Sequence, residues 1–356
     1  MDFVGLGSTR QGLMAGDSSP LSLPSEEGTQ MRPQARRART TPSVTSLSIV
    51  VCTKNRPKQL ATCLESVETQ TTLPVEVVIV DAGQQSSEDI VHTFSSRMRG
   101  TCRVKLLPSV PGLPLQRNIG ADATTGDIVL FLDDDVVLQP DYIEHLVDVY
   151  VQDDEKRIGG VGGALVCDPA PEDSLVRRVL SRVFLLSTLK DGSLKRSGRP
   201  RHLFIPREYT DVEFLSGCNM SFRREVLKVF RFDERLHGYA LGEDLDFSYR
   251  VSRSWRLVMT PVARLDHRHA GGERPNASAL HEMGVRNRFL FVRDRFARSY
   301  LDWLAYGWSE IGALILTLRY PGSGAFTGTV KGFIRIWREQ MRQGAREVES
   351  TRPSRA

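Results

Sequence analysis

Cysteine is scarce in this sequence of 356 residues, with five copies and no Cys-x-x-Cys pair. Cys52, Cys63, Cys102, Cys167 and Cys218 are scattered and odd in number, which supports neither a zinc site nor a disulfide framework and fits a reducing compartment. No Gly-x-Gly-x-x-Gly follows a strand-like run, which disfavours a dinucleotide-binding dehydrogenase. No stretch of about 18 apolar residues occurs, so a classical spanning helix is not expected. The nearest approach, Trp303 to Leu318, is interrupted by Ser309 and Glu310. Residues 1 to 20 carry acids and glycine where a secretory signal would carry an apolar core, so no signal is expected. Strong charge is also lacking. A net charge of +5 is too mild to indicate nucleic acid, and none is expected as a partner. The surplus does suit a phosphate-rich ligand or an anionic membrane surface. No internal repeat is apparent.

What is present is ordinary globular material, 40% hydrophobic and 26% charged. Residues 1–46 are rich in Ser, Pro, Gly, Thr and Arg, without periodicity, and read as a disordered tail. Arg36, Arg37 and Arg39 form a small basic cluster there. At Leu47 the pattern changes. Leu47 to Thr53 reads as a strand, Lys58 to Thr69 as a helix and Val75 to Val80 as a strand ending at Asp81. Ser87 to Met98 reads as helical, Arg103 to Leu107 as a strand, Leu115 to Thr124 as helical and Ile128 to Leu132 as a fourth strand. This alternation predicts an α/β fold, a parallel sheet with helices on both faces. The second half is less regular. Gly160 to Val166 reads as a strand, 191–212 as a mobile basic loop and Glu243 to Ser252 as a helix. Leu257 to Thr260 and Val262 to Leu265 read as two short strands, and the chain turns helical beyond Gly272.

The most informative stretch is Asp133-Asp134-Asp135. The triplet closes an apolar run and has no neighbouring basic residue. Adjacent like charges repel, so a fold rarely gathers them for stability alone. The usual remedy is a divalent cation with oxygen ligands, often shared with a phosphate. In open α/β sheets ligands sit beyond the carboxyl ends of the strands. Thr53, Asn55 and Arg56 after strand one, Asp81 after strand two and the triplet after strand four thus gather at one edge. A nucleotide across that edge sets Asp81 against base or ribose, with a metal neutralising a diphosphate. Asp81 is equally placed to cap a helix. Arg117 has a fork matching two phosphate oxygens, or is an exposed helix cation. Glu243 and Asp244 at a helix start either favour the positive helix end or offer a general base beside a leaving group. Asp246 and Arg250 have the spacing of an ordinary helix pair. Cys218 reads as a small buried thiol.

The chain resembles the inverting family 2 glycosyltransferases with the GT-A fold over residues 47 to 270. The resemblance is carried by Ser48-Ile49-Val50-Val51-Cys52-Thr53-Lys54-Asn55-Arg56, Val78-Ile79-Val80-Asp81, Gln116-Arg117-Asn118-Ile119-Gly120, the Asp133-Asp134-Asp135 triplet, Gly217-Cys218-Asn219-Met220-Ser221 and Gly242-Glu243-Asp244-Leu245-Asp246-Phe247. The order and combination are specific, whereas no single motif is. The resemblance implies a mostly parallel central sheet flanked by helices. It implies transfer of a sugar, with inversion, from a nucleoside-diphosphate sugar to a glycan or lipid-linked hydroxyl. Thr53, Asn55, Arg56, Asp81, Arg117, Asp133 and Asp134 would contact the donor. Asp135 and Asp133, with His267 or His269 near the metal or diphosphate, would hold Mg²⁺ or Mn²⁺. Asp244 would be the base, Glu243 the next candidate.

A nucleotidyltransferase acting on a sugar phosphate would need a Gly-rich, Arg-bearing loop after the first strand, where this chain has Thr53-Lys54-Asn55-Arg56-Pro57. A non-catalytic nucleotide-sugar or glycan-binding protein would not require both the acidic triplet and Glu243-Asp244. The expected organisation is a catalytic domain over 47–272, a helical region over 273–346 and a second disordered tail over 347–356. The helical region interleaves Lys331, Arg335, Arg338, Arg342 and Arg346 with Phe333, Ile334, Ile336 and Trp337, as in interfacial amphipathic helices. The expected location is cytoplasmic, with this region peripheral on the cytosolic face of the membrane.

Overall fold

The computed structural model describes residues 45–166, 175–186, 191–268, 275–318 and 322–350. The chain divides into units 1–43 and 44–356. Residues 1–44 of the expected first tail, with its arginine cluster, lie outside the described residues, as do Cys167, His269 and 351–356.

The first half follows the expected alternation. Strand β1 (Leu47–Thr53) is buried along its whole length and feeds helix α1 (Pro57–Glu68) through a turn in which Asn55 takes φ 54°. Pro57 sits in the first turn of α1, where its missing N–H costs nothing. Strand β2 (Glu76–Asp81), helix α2 (Glu88–Arg97), strand β3 (Arg103–Pro108), helix α3 (Leu113–Ala123) and strand β4 (Ile128–Asp133) complete the unit. These strands lie in the parallel order β3-β2-β1-β4. Alternate residues of β1 serve two cores. Leu47, Ile49 and Val51 pack with Leu60 and Leu64 of α1, whereas Val50 and Cys52 face α3. Gly120 of α3 lies so close to the sheet that a Cβ there would stand 2.3 Å from Val50 Cγ1.

The second half departs from a purely parallel sheet. Strand β5 (Val136–Leu138), helix α4 (Tyr142–Val151), strand β6 (Ile158–Val166), helix α5 (Leu175–Val183), strand β7 (Thr210–Val212), strand β8 (Asn219–Arg223) and helix α6 (Arg224–Val229) precede helix α7 (Glu243–Ser252) and strand β9 (Arg256–His267). The sheet continues from β4 as β8-β6-β9-β5, with β7 beside β9. β8 runs antiparallel to both β4 and β6, and β5 antiparallel to β9. The two short strands expected around Pro261 are one strand. Between the pairs Gly162–Met259 and Ala164–Arg264, β9 carries extra residues opposite β6, and this bulge accommodates the proline that lacks a donor. The segment 191–212 is ordered as a tight hairpin bridged at Leu194 and Pro200, then β7.

Helix α8 (Ala277–Phe291), a π-helical turn (Val292–Phe296), helix α9 (Tyr300–Thr317) and helix α10 (Ala325–Ser350) follow. Ser309 and Glu310 do not break α9, because both are buried on its protein side. α10 continues to Ser350, past the expected limit of 346. It lies along α8, tied by the Arg286–Glu339 ion pair at 2.9 Å.

Candidate active site

Strand register assembles the first row of the site. Thr53 pairs with Asp81 and Cys52 with Asp133, so the ends of β1, β2 and β4 lie side by side. Beyond β4 the chain turns through Asp134 and Asp135 into β5, and Val136 pairs with His267 of β9. That antiparallel pairing carries His267 to Asp135, with Nε2 3.0 Å from Oδ1. One ligand atom each from Asp133, Asp135 and His267 lies within 4.8 Å of the others. Carboxylate oxygens with one imidazole suit Mg²⁺ or Mn²⁺.

The triplet has the cationic partners that its local sequence lacks. Arg56 donates to Asp134 at 3.1 Å and to Asp135 at 3.3 Å. Arg117 donates to Asp133 at 3.3 Å. Asp134 also accepts from Thr53 Oγ1 at 2.7 Å. Burial pushes its carboxyl up to about 6, against the pull of Thr53 and Arg56. Asp133 is also raised, by desolvation first and by Asp135 in addition, with Arg117 opposing.

Arg117 is not an exposed helix cation: it is 2% exposed. It donates to Glu243, to Gly217 O at 2.9 Å and to Asp133. Desolvation disfavours its charge, but Glu243 and Asp133 outweigh that and hold the guanidinium above its usual range. Glu243 is driven the other way. Burial lifts its carboxyl to about 8, Asp244 adds to the shift and Arg117 opposes it.

Asp244 differs from its neighbour. Gly242 takes φ 89°, a conformation glycine adopts without steric cost, and α7 begins at the next residue. Asp244 Oδ2 accepts from Gly217 N at 2.9 Å and Oδ1 from Leu245 N at 2.8 Å. The carboxylate is thus oriented by two backbone amides yet remains half-exposed, while Glu243 is sealed against Arg117. Asp246 forms the expected pair with Arg250 at 2.9 Å and also accepts from Arg295 at 3.3 Å.

The residues at the ends of β1 and β2 are knitted together. Asp81 accepts from Gly83 N and Ser87 Oγ, each at 2.7 Å. Asn55 Oδ1 accepts from Gln84 N at 2.7 Å and Gln85 N at 3.1 Å, which fixes the loop after β2 against the loop after β1. Cys218 is a buried free thiol, as expected. Two contributors carried no individual assignment in the sequence. Gln116 Nε2 donates to Thr53 O at 3.1 Å and Val80 O at 2.9 Å, joining the ends of β1 and β2. His202, stacked on Phe204 at 5.3 Å and edge-on to Phe214 at 5.1 Å, lies near enough to Asp244 to feel its charge. The irregular basic loop that holds it gives no periodic signal.

Residues 48–230 match the model of glycosyl transferase family 2, just over half of the chain. EpsH of Bacillus subtilis (strain 168), a protein named as a glycosyltransferase, is 26% identical over 222 residues, 61% of this chain and 59% of its own length. The glucosyl-dolichyl phosphate glucuronosyltransferase of Haloferax volcanii is 35% identical over 124 residues, 34% of this chain and 39% of its own. The chain therefore spans less than two thirds of either relative. The crystal structure of GalNAc-T7 with UDP, GalNAc and Mn²⁺ superposes with a TM-score of 0.53 at 17% identity, over 71% of this chain and 49% of that one, a likeness of fold. The chain belongs to glycosyl transferase family 2 and has the GT-A fold.

Proposed function

We propose that the enzyme moves a sugar from a nucleoside-diphosphate donor to a hydroxyl of a glycan or lipid-linked acceptor, with inversion at the anomeric carbon. The observation that carries the reading is the position of Asp244, half-exposed and aimed by two amides, across Gly217 and Arg117 from Asp133. Thr53, Asn55, Arg56 and Asp81 form the donor side, with Asp133 and Asp134 below the diphosphate. Arg117 acts there by holding Asp133 and Gly217.

Asp133, Asp135 and His267 fit Mg²⁺ or Mn²⁺, which would offset the charge gained by the departing nucleoside diphosphate. Asp244 accepts the proton of the incoming hydroxyl as the oxygen forms its bond to the anomeric carbon and the bond to the diphosphate oxygen breaks. A single displacement leaves the product anomer opposite to the donor's. Glu243 is the poorer candidate, because it is buried against Arg117, whereas Asp244 is only partly buried.

In this reading the catalytic domain spans 47–272, and the helical region from 273 keeps the protein peripheral on the cytosolic face of a membrane. Among the described residues no helix is long and apolar enough to cross one. The name of the Haloferax volcanii relative, which acts on a dolichyl phosphate-linked sugar, supports a lipid-linked acceptor. The experiment is a screen of purified protein against nucleotide sugars with Mg²⁺ or Mn²⁺, followed by NMR of the product made from the donor that is consumed. Retention of the donor's anomeric configuration would reject the displacement.

A further inference from the structure

The outward side of α9 is uncharged and apolar. Leu301, Leu304, Trp308, Ile311, Ile315 and Leu318 recur every three or four residues and are all exposed, Leu304 to 63% and Leu318 to 61%. The two acids of α9 do not interrupt this stripe. Asp302 caps the helix at Ser299 and pairs with Arg196 at 2.9 Å. Glu310 is buried between Arg199 and Arg288. A row of exposed large apolar side chains this long marks an interaction surface rather than chance exposure.

Helix α5, which sequence periodicity did not reveal, extends the same surface. Trp308 Nε1 donates to Val183 O at 2.7 Å and its ring lies 4.8 Å from that of Phe184. Val179 and Val183 are exposed beside it, flanked by exposed Arg178 and Arg182. We infer that the outward faces of α5 and α9 form one docking surface for an anionic lipid bilayer, with the helices lying in the plane of the interface. The inference rests on the reading of the enzyme as membrane-peripheral and assigns that attachment to this face. Lipid is the fitting occupant because the apolar stripe is bordered by cations, which meet anionic headgroups while the stripe enters the acyl boundary. Trp303 and Trp308 are exposed on α9, and tryptophan favours that depth.

The face also leads to the catalytic residues. The hairpin from 191 to 201 is fixed to α9 through Arg196–Asp302 and through Arg199, which donates to Ser309 O at 3.2 Å. The chain then passes directly to His202, near Asp244. An acceptor anchored in the bilayer would thus arrive on the side where the base stands.

The test uses the full chain with vesicles of phosphatidylcholine alone and with phosphatidylglycerol added. Wild type is expected to sediment with the anionic vesicles and to be released by salt, since screening weakens exposed charge pairs. The variant L304Q/I311Q/L318Q alters only exposed side chains. It should melt as wild type does and partition about tenfold to a hundredfold less, as apolar burial is lost. Arg178→Gln with Arg182→Gln should remove most of the salt sensitivity. A wild type that ignores both vesicles overturns the peripheral reading itself. A wild type that binds while the triple variant binds equally well leaves that reading standing, overturns this face and transfers attachment to the basic surface of α10. Self-association in ultracentrifugation that disappears in the triple variant, without vesicle binding, assigns the face to a second copy and likewise overturns the inference.

Discussion

Arg117 of α3 and Glu243 of α7, 126 positions apart, form a buried ion pair at the floor of the site. The same guanidinium reaches Asp133 and Gly217 O, so one side chain ties β4, the chain before β8 and the start of α7 together. Removing one partner of a buried pair leaves the other uncompensated, which typically costs about 3–5 kcal/mol. Arg117→Met, which keeps an unbranched apolar stem, is expected to lose about that much in denaturant unfolding. The double variant with Glu243→Gln should recover part of the loss. Equal stability of wild type and Arg117→Met would mean that the acids at the site need no such cation.

Asp244→Asn keeps size and shape but does not accept a proton at neutral pH. General-base removal costs about 10²–10⁴-fold in rate. Turnover should fall by that range while binding of the nucleotide sugar that wild type consumes, read by thermal shift, is retained. Glu243→Gln should change stability more than chemistry, because its carboxyl is sealed from the hydroxyl's approach. Near wild-type turnover in Asp244→Asn would move the base elsewhere.

The sequence discloses the parallel half of the sheet because β1, β2 and β4 are apolar runs bounded by turns, buried on both faces. It discloses the acids because they stand at the ends of those runs. It does not disclose their partners. Arg56 and Arg117 reach the triplet through strand register and loop closure, which no local pattern encodes. β5 has three residues, too short to carry a period, yet its pairing with β9 delivers His267. Pro261 suggests two strands where a bulge permits one. The choice between Asp244 and Glu243 is likewise tertiary, since it depends on which carboxylate faces Arg117.

Metal dependence is expected to run through Asp133, Asp135 and His267. Chelation should abolish transfer, and Mn²⁺ should restore it. Asp135→Asn should weaken direct Mn²⁺ binding, measured by electron paramagnetic resonance, without unfolding the chain. His267→Gln should weaken binding less, because one ligand of three is replaced by a poorer one. Full transfer in excess chelator would sink the role of the cluster.

Glu76 predicts an acid-sensitive fold away from the active site. Its carboxylate accepts from Ser48 Oγ at 2.9 Å, Thr125 Oγ1 at 2.8 Å and Lys105 Nζ at 3.0 Å. Burial alone would raise its pKa, but Thr125, Lys105 and Ser48 outweigh it and hold the group down at about 2, from an ordinary 4.5. The folded value lies below the unfolded one, so the carboxylate's contribution is complete above about pH 4.5 and is lost as pH falls towards about 2. A shift from 4.5 to about 2 corresponds to roughly 3 kcal/mol, each pH unit being worth about 1.4 kcal/mol. Wild type should therefore lose denaturant stability between about pH 5 and pH 2 faster than Glu76→Gln, which has no proton to take up there. The variant should start lower at neutral pH, because Lys105 loses its anionic partner. Parallel pH profiles for the two proteins would show that Glu76 titrates alike in the folded and unfolded chains, and that acid acts elsewhere.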